Sequence, residues 1–416
     1  MLCLLGARPP AILGARAEDM LSLPALPALI EEALKNNREA RMAEAKSAGA
    51  GYRPAQEKSL PDPMFMLGYQ NEGYDKYTYG EMPDAQWMFS VSQMVPFPGK
   101  RSLKGRMSVR EAEGLRAWAE TARLDVVREV KERYYELFFA HKSIELIEEK
   151  KGLFLGIENA AIGRYSSGMA PQQEVIMAQT EKYMLEERLE MFRQRVEAVE
   201  AMLNRALGRE IGSPLGRPAG PSQEELSTVS MTLEEAQTRA REGSPALKAK
   251  RKMVEAGGVK LDMAKKEYYP DFTFTGSLGK KGGEFEDMWS LTLALNVPLF
   301  YRTKQRNAAL EAGEALKEAR LDLEATELMV LSALREDYSM AVTAGRLMKL
   351  YKEDLIPKAK QGFESSLSGY VSGKVELITA IRSLALLLDY EISYWSRFVE
   401  LKRATARVEA LTGGTK

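Results

Sequence analysis

The chain contains one strand-to-helix segment twice, and this duplication limits the folds available to it. Residues 86–101 read QWMFSVSQMVPFPGKR, and residues 288–302 read MWSLTLALNVPLFYR. Trp87 and Trp289 are 202 positions apart, as are the two Val-Pro steps. In both copies the residues before Val-Pro alternate as in a strand, and the residues after it are basic and helical. The sequence therefore predicts two structural repeats within one chain.

The repeated strands alternate between an apolar and a polar face. Such alternation also occurs in soluble sandwiches, but strands that are apolar outside, polar inside and aromatic near their ends are typical of transmembrane barrels. The partner strand at 271–278 follows the same pattern, with phenylalanines outside and threonines inside. The predicted membrane-facing residues are Trp87, Phe89, Phe272, Phe274, Trp289, Leu291 and Leu293.

Composition excludes several classes of protein. No run of 18 or more apolar residues occurs, so a membrane crossing would have to use strands. Lys plus Arg (59) equals Asp plus Glu (59), so nucleic acid is not an expected partner. The single Cys3, the single His141 and the absence of a Gly-rich phosphate loop predict no enzyme, no cofactor and no metal site.

The first residues are typical of an export signal. Residues 1–6 are mostly apolar, and Ala15-Arg16-Ala17 before Glu18 has the A-x-A form of a cleavage site. We therefore expect residues 1–17 to be the remnant of a signal peptide.

Each repeat begins with a helix, predicted at 24–58 and at 233–266, that ends at a Pro-Asp step. Proline stops a helix and is tolerated where a strand begins, so each step opens a β-hairpin. The predicted segments are a signal remnant at 1–17; a first repeat at 18–207, with a β-hairpin at 62–95 and a long α-hairpin with its tip near 165–170; a linker at 208–231; a second repeat at 232–412, with a β-hairpin at 270–297 and a tip near 366–374; and a tail at 413–416.

Long helices follow both hairpins. Residues 100–162 and 303–356 contain no proline, and about 60 helical residues would extend on the order of 90 Å. Leu334, Ala341 and Met348 are seven positions apart, which is the spacing of a coiled-coil seam. A filament or scaffold would explain such helices, but it would leave the strands unexplained.

The long helices end in a second repeated motif. Arg164-Tyr165-x-x-Gly168 is followed 205 positions later by Tyr370-x-x-Gly373. A glycine in this position suits a turn between two antiparallel helices, because it can take positive φ. The motif is either a structural turn or, since it recurs at the same end, a docking surface.

Together these motifs, in this order and twice, resemble the TolC-like outer-membrane efflux family. The resemblance implies a mainly α fold with a small β part, in which duplicated coiled-coil hairpins accompany two β-hairpins. It implies a homotrimer whose chains each give four strands to a twelve-stranded transmembrane β-barrel in the outer membrane. The helices would form a periplasmic tunnel that meets a periplasmic adaptor (a membrane fusion protein) and an inner-membrane pump of the resistance-nodulation-division type.

The resemblance also implies roles for residues at the tip. The expected adaptor contacts are Arg164, Tyr165, Gly168, Tyr370 and Gly373. The family often carries an acidic residue six positions after the tip glycine, where the tunnel narrows. Here the candidates for that constriction are Glu174, Thr379 and, as the nearest acidic substitute in the second copy, Glu376. The alternative for both glutamates is a solvated residue on a helix surface.

The expected function is a passive exit duct of a tripartite efflux system. The segments at 60–64 and 93–101 resemble members associated with heavy-metal efflux. The chain has 21 methionines, whose thioethers suit Cu(I) but also fill cores; five of them are Met64, Met66, Met82, Met88 and Met94. The alternatives are a periplasmic coiled-coil adaptor or scaffold and a type I protein secretion channel.

Overall fold

The computed structural model describes residues 23–221 and 231–414. The predicted signal remnant at 1–17 lies outside these ranges, as do part of the predicted linker and the last two residues of the predicted tail. None of the helices described is both long and apolar enough to cross a membrane.

The predicted fold class, mainly α with a small β part, is confirmed. In chain order the elements are α1 (Leu26–Asn36), α2 (Arg38–Lys58), β1 (Met64–Gln70), β2 (Gln86–Val95), α3 (Lys100–Ser166), α4 (Gln172–Leu207), α5 (Leu233–Gly243), α6 (Pro245–Lys266), β3 (Asp271–Lys281), β4 (Met288–Asn296), α7 (Gln305–Leu350), a π-helical turn (Tyr351–Leu355), α8 (Ile356–Val371) and α9 (Leu377–Thr412).

The described residues form two compact units. The helical unit comprises the described parts of 1–42, 121–244 and 330–416, and the sheet unit comprises 43–120 and 245–329. Both units combine segments from the two predicted repeats. The repeat boundaries therefore stay a prediction from the sequence, distinct from this division.

The sheet unit contains one antiparallel sheet in the order β1-β2-β3-β4. Its register places Phe89 opposite Leu278 and Leu278 opposite Trp289, so residues that face each other across the strands share one side. All seven residues predicted to face lipid lie on this side, which we call the apolar face: Trp87, Phe89, Phe272, Phe274, Trp289, Leu291 and Leu293.

The opposite side of the sheet is rich in hydroxyl groups. Thr275 Oγ1 donates to Ser92 Oγ at 3.1 Å, and the hydroxyls of Ser277 and Ser290 are 2.7 Å apart. Such pairs between adjacent strands stabilise the sheet and occupy polar groups with each other. The predicted alternation thus separates an apolar face from a polar face across all four strands.

The first predicted helix, at 24–58, is wrong in one respect, because it is broken at Asn37. This residue has φ −61° and ψ 127° and separates α1 from α2. Its side-chain oxygen accepts from the N–H groups of Glu39 and Ala40, which caps the start of α2. Its side-chain nitrogen donates to the carbonyl of Ala206 at 2.9 Å. The hydrogen bonds of the cap and of this distant contact together stabilise the break relative to one continuous helix.

The second predicted helix, at 233–266, is broken in the same way at Ser244. Ser244 has φ −53° and ψ 118°, and α6 begins at the next residue, Pro245. A proline disfavours the helical conformation in the residue before it, which explains the break. The capping box of Thr232 and Glu235 marks the start of α5.

The long helical region of the second repeat passes through Pro357 and ends at Val371, next to the predicted tip. The residues before Pro357 form a π-helical turn, in which the N–H of Ile356 donates to the carbonyl of Tyr351. A proline lacks an N–H and clashes with the preceding turn of a regular helix. The wider turn accommodates its ring without ending the helix.

The core of the helical unit is organised around Phe398, which is fully buried on α9. The rings of Tyr135, Phe138 and Trp395 pack edge-on against it at 5.8, 5.9 and 5.8 Å, a favourable arrangement for aromatic pairs. The predicted sevenfold row on α7 also faces this unit's interior, since Leu334, Ala341 and Met348 are buried.

Candidate functional site

The Tyr-x-x-Gly motifs form two matching turns in the helical unit, one between α3 and α4 and the other between α8 and α9. Gly168 has φ +72° and Gly373 has φ +75°. Each glycine N–H donates to the carbonyl of the tyrosine three residues earlier, at 2.9 and 3.0 Å. The following N–H in each turn donates to the carbonyl five residues earlier. These bonds define a Schellman motif, which requires the left-handed glycine.

The two tyrosines of the motif have opposite environments. Tyr165 is 46% exposed, whereas Tyr370 is only 1% exposed. The local turn is the same in both copies, so the difference arises from what packs around each ring. Of these two tyrosines, only Tyr165 has a ring that a partner could reach.

Three predicted tip residues meet around the buried tyrosine. The Tyr370 hydroxyl donates to Glu174 Oε2 at 2.9 Å. The Arg164 guanidinium lies over the Tyr370 ring, 4.9 Å from its centre, and Arg164 Nη1 donates to the Tyr370 carbonyl at 2.6 Å. We call Arg164, Glu174 and Tyr370 the tip cluster. It connects the α3–α4 hairpin to the end of α8 through a hydrogen bond to a carboxylate and a cation–π contact.

Only one copy can supply this arginine. The residue 205 positions after Arg164 is Gly369, where an added Cβ would lie 2.5 Å from Val375 Cγ2. The second turn therefore has room for no side chain at this position. The first turn places a long cation here, which reaches across to the second hairpin.

The tip cluster keeps its phenol neutral. Burial of Tyr370, together with the hydrogen bond and negative charge of Glu174, raises the pKa of this tyrosine to about 12, although the positive charge of Arg164 opposes the shift. Tyr370 therefore remains a hydrogen-bond donor throughout the physiological pH range.

The other predicted constriction residues lie near the cluster in sequence but do not join it. Glu376 is the N-cap residue of α9, with an exposed side chain that makes no capping hydrogen bond. Thr379 is exposed in the first turn of that helix. Glu174, by contrast, is half-buried and already accepts a hydrogen bond from Tyr370. Sequence reasoning selected all three members of the cluster but missed that they contact one another.

The residues of the apolar face differ in exposure. Trp289 and Leu291 on β4 are 75% and 80% exposed, and Phe274 on β3 is also exposed. Phe272 is half-buried, because its ring stacks with that of Phe97 at 6.5 Å. Within the sheet unit, most of this apolar surface is thus left uncovered, which is unusual for a chain that stands alone in water.

A set of contacts that sequence reasoning missed joins the end of β2 to the start of β3. The backbone N–H of Phe97 donates to Asp271 Oδ1 at 2.8 Å. Lys100 Nζ lies 3.0 Å from the same oxygen and 3.1 Å from Glu267 Oε2, and only 5% of the Lys100 side chain is exposed. We call Phe97, Lys100, Glu267 and Asp271 the strand junction. A buried cation requires such carboxylates. The Val-Pro step before Phe97 and the Pro-Asp step at Asp271 were the sequence features from which these contacts could have been predicted.

Aromatic stacking adds to the strand junction. The rings of Phe97 and Tyr269 stack with their centres 4.6 Å apart. Lys266 Nζ lies 5.5 Å from the centre of the first ring and 5.1 Å from that of the second. These contacts join the end of α6, which precedes β3, to the segment between β2 and α3.

The fold is similar to those of known channels. CusC, whose structures concern transmembrane channel formation, superimposes with a TM-score of 0.83 at 12% identity, over 94% of this chain and 92% of that one. The outer membrane protein VceC from Vibrio cholerae gives 0.80 at 17% identity, over 94% and 96%. The CmeC outer membrane channel of Campylobacter jejuni gives 0.78 at 15%, over 94% and 85%.

Sequence comparison adds the family. No curated protein sequence matches the chain. The family model described as outer membrane efflux protein matches residues 29–209 and 236–414, which is most of the chain in two successive segments. These matched segments contain the tip cluster, both β-hairpins and the strand junction, and by this match the chain belongs to the outer membrane efflux protein family.

Proposed function

We propose that this protein is the outer-membrane exit duct of a tripartite efflux system and conducts its cargo passively. The observation that carries the proposal is a four-stranded sheet with one apolar face, whose edge strands β1 and β4 each pair with no further strand in the described ranges. In lipid, unpaired backbone groups at a strand edge cost several kcal/mol each. Further copies of the same chain would satisfy them, and three copies would close a twelve-stranded barrel.

The strands would then lie in the outer membrane, and the helices would extend into the periplasm. The tip would meet a periplasmic adaptor and, through it, an inner-membrane pump of the resistance-nodulation-division type. Tyr165 and the turns at Gly168 and Gly373 are exposed and suit contact with the adaptor. Arg164 and Tyr370 would act differently, by holding the two hairpins together.

Opening of the duct would break the tip cluster. Its two hydrogen bonds and its cation–π contact join two helical hairpins, so separation of the hairpins must disrupt all three contacts. Packed interfaces that switch between discrete arrangements serve as gates in other proteins, and the tip cluster would act in this way. Glu376 and Thr379, which are exposed, remain the candidates for charge or polarity along the narrow part of the path.

Heavy-metal cations are the proposed cargo. The register puts Met64 and Met66 on the polar face of β1, and Met88 and Met94 on the same face of β2. In a closed barrel this face lines the lumen, where thioethers would meet soft cations such as Cu(I). Met82 lies outside the strands and provides a matched position away from this face.

Deleting the gene and scoring tolerance to copper, silver, zinc, cobalt and organic toxicants tests the cargo. We expect the deletion to make cells sensitive to copper and silver. The wild-type gene and the Met82→Leu variant should restore tolerance, whereas the variant with all four polar-face methionines (Met64, Met66, Met88 and Met94) changed to leucine should not. Unchanged tolerance to every metal would remove the metal proposal.

Membrane fractionation and conductance test the duct itself. We expect the protein in the outer-membrane fraction as SDS-resistant trimers that give stepwise conductance in planar bilayers. Recovery as a water-soluble monomer with Trp87 and Trp289 buried would favour a periplasmic scaffold instead. Loss of a secreted protein on deletion, with normal tolerance to toxicants, would favour type I secretion.

A further inference from the structure

The residues of the strand junction that follow the Val-Pro step, and the aspartate that follows the Pro-Asp proline, have counterparts elsewhere in the sequence. The residues 202 positions after Phe97 and Lys100 are Leu299 and Arg302. The residue 209 positions before Asp271 is Asp62, which follows the first Pro-Asp proline as Asp271 follows the second. The chain thus carries a second set of residues able to make the same kind of contact.

Within one chain this second set cannot meet. Leu299 and Arg302 follow β4, Asp62 precedes β1, and these strands form opposite edges of the sheet. Leu299 is 75% exposed. Asp62 and Arg302 are exposed too, and neither forms an ion pair with any residue that the structure describes. By contrast, the internal equivalent of Arg302, Lys100, is almost fully buried between carboxylates.

We propose that Arg302 of one copy binds Asp62 of a second copy, where β4 of the first pairs with β1 of the second. The inference rests on the proposed function, because it requires copies of the sheet to join edge to edge. In the single chain the N–H of Leu299 donates to the Val297 carbonyl at 2.9 Å; at the joint, by analogy with Phe97, it would donate to the Asp62 carboxylate instead. An ion pair and a backbone hydrogen bond would then fix each joint between copies.

The same two offsets predict the register of this joint. Adding 202 to the number of each β2 residue and subtracting 209 from that of each β3 residue converts the internal pairs into pairs between copies. Val91–Gly276 becomes Leu293–Leu67, and Phe89–Leu278 becomes Leu291–Tyr69. All four of these β4 and β1 residues belong to the apolar face of their own strands. A slip of one residue would place an apolar residue opposite a polar one throughout. The Val-Pro and Pro-Asp steps that give these offsets lie at the strand ends, so the agreement of the faces supports this register.

The second set lacks one of the two carboxylates of the strand junction. Glu267, the second carboxylate around Lys100, corresponds to Lys58 in the first copy. The Lys58 side chain lies over Gly105 of α3, where an added Cβ would collide with it. Arg302 therefore has a single carboxylate partner, Asp62. A guanidinium suits this arrangement, because it can bind one carboxylate through two parallel hydrogen bonds.

Disulfide trapping in the full chain, in a Cys3→Ser background, tests the register. Residues directly opposite in antiparallel strands have Cα atoms about 4.5–5.5 Å apart, within disulfide reach. We expect Leu293→Cys with Leu67→Cys to give a covalent dimer and higher species on oxidation. Val91→Cys with Gly276→Cys is the matched control and should cross-link within one chain. Leu295→Cys with Tyr69→Cys, four residues out of register, should give no intermolecular product.

Charge exchange tests the ion pair. Asp62→Arg and Arg302→Asp should each cause loss of SDS-resistant oligomer at a temperature that the wild type survives, and the double variant should recover it. If the wild type assembles but the Leu293–Leu67 pair stays unlinked while the internal control forms, or if the double variant shows no recovery, this inference is wrong and the duct stands. If the wild type is monomeric in the membrane, both proposals fall.

Discussion

Removing one hydroxyl from the tip cluster should loosen the tip by a measurable amount. Tyr370→Phe deletes the hydrogen bond to Glu174 and leaves the buried ring and its contact with Arg164 in place. A hydrogen bond to a charged group contributes about 1.5–3 kcal/mol. Glu174 is half-buried and can turn to water, so we expect the lower end of this range. About 1.5 kcal/mol corresponds to roughly a tenfold change in the opening equilibrium.

The repeat provides a matched control. Tyr165→Phe makes the same chemical change at the equivalent position of the first turn, where the ring is exposed. Its hydroxyl makes no hydrogen bond to the residues described in the structure. We therefore expect Tyr165→Phe to leave the opening equilibrium unchanged.

Native-state hydrogen exchange of the turn amides is the direct assay. In Tyr370→Phe, the amides of Met169 and Lys374, which close the two turns, should exchange roughly tenfold faster than in the wild type. Conductance in planar bilayers should show a matching rise in open time. Equal exchange in wild type and Tyr370→Phe, or the same acceleration in Tyr165→Phe, would refute the reasoning.

Three further predictions concern stability. Because the folded state raises the pKa of Tyr370 from 10.0 to about 12, its neutral phenol stabilises the tip fully below pH 10; exchange should accelerate between pH 10 and 12, and Tyr370→Phe should lack that added step. Asp271→Ala leaves the buried Lys100 with one carboxylate fewer and should cost about 3 kcal/mol in thermal unfolding. Asn37→Ala removes a helix cap and leaves the Ala206 carbonyl unpaired, which should cost about 2 kcal/mol in the same assay.

Two variants control these stability predictions. Asp322→Ala breaks an ion pair with Lys250 in which both side chains are exposed, so it should cost less than about 1 kcal/mol. Thr232→Ala removes a cap at an exposed helix start and should cost about 1 kcal/mol. A loss for Asp271→Ala no larger than that for Asp322→Ala would contradict the burial argument for Lys100. Equal losses for Asn37→Ala and Thr232→Ala would contradict the role of the bond to Ala206.

Features with a local cause could be predicted from the sequence. Alternation of side chains along a strand depends only on neighbouring residues, so the seven residues that the sequence grouped together do share one side of the sheet. Contact of this side with lipid stays a prediction. The helix breaks were missed although their signals were present. Asn37 is a good capping residue and Pro245 restricts the residue before it, but the helix-forming composition of the first segment and its similarity to the second favoured one helix in each case.

What the sequence by itself determined is the strands, the long helical regions, their order and the face that each strand presents, because backbone preferences and side-chain periodicity act over a few residues. What only the tertiary structure decided is which copies of a repeated motif meet a partner. Tyr165 and Tyr370 occupy the same turn, yet Arg164 and Glu174 surround only one of them. Asp62 and Asp271 follow the same step, yet among the residues that the structure describes only Asp271 forms an ion pair with a cation. Burial and pairing depend on residues that lie far apart in sequence, so identical local motifs acquire different roles.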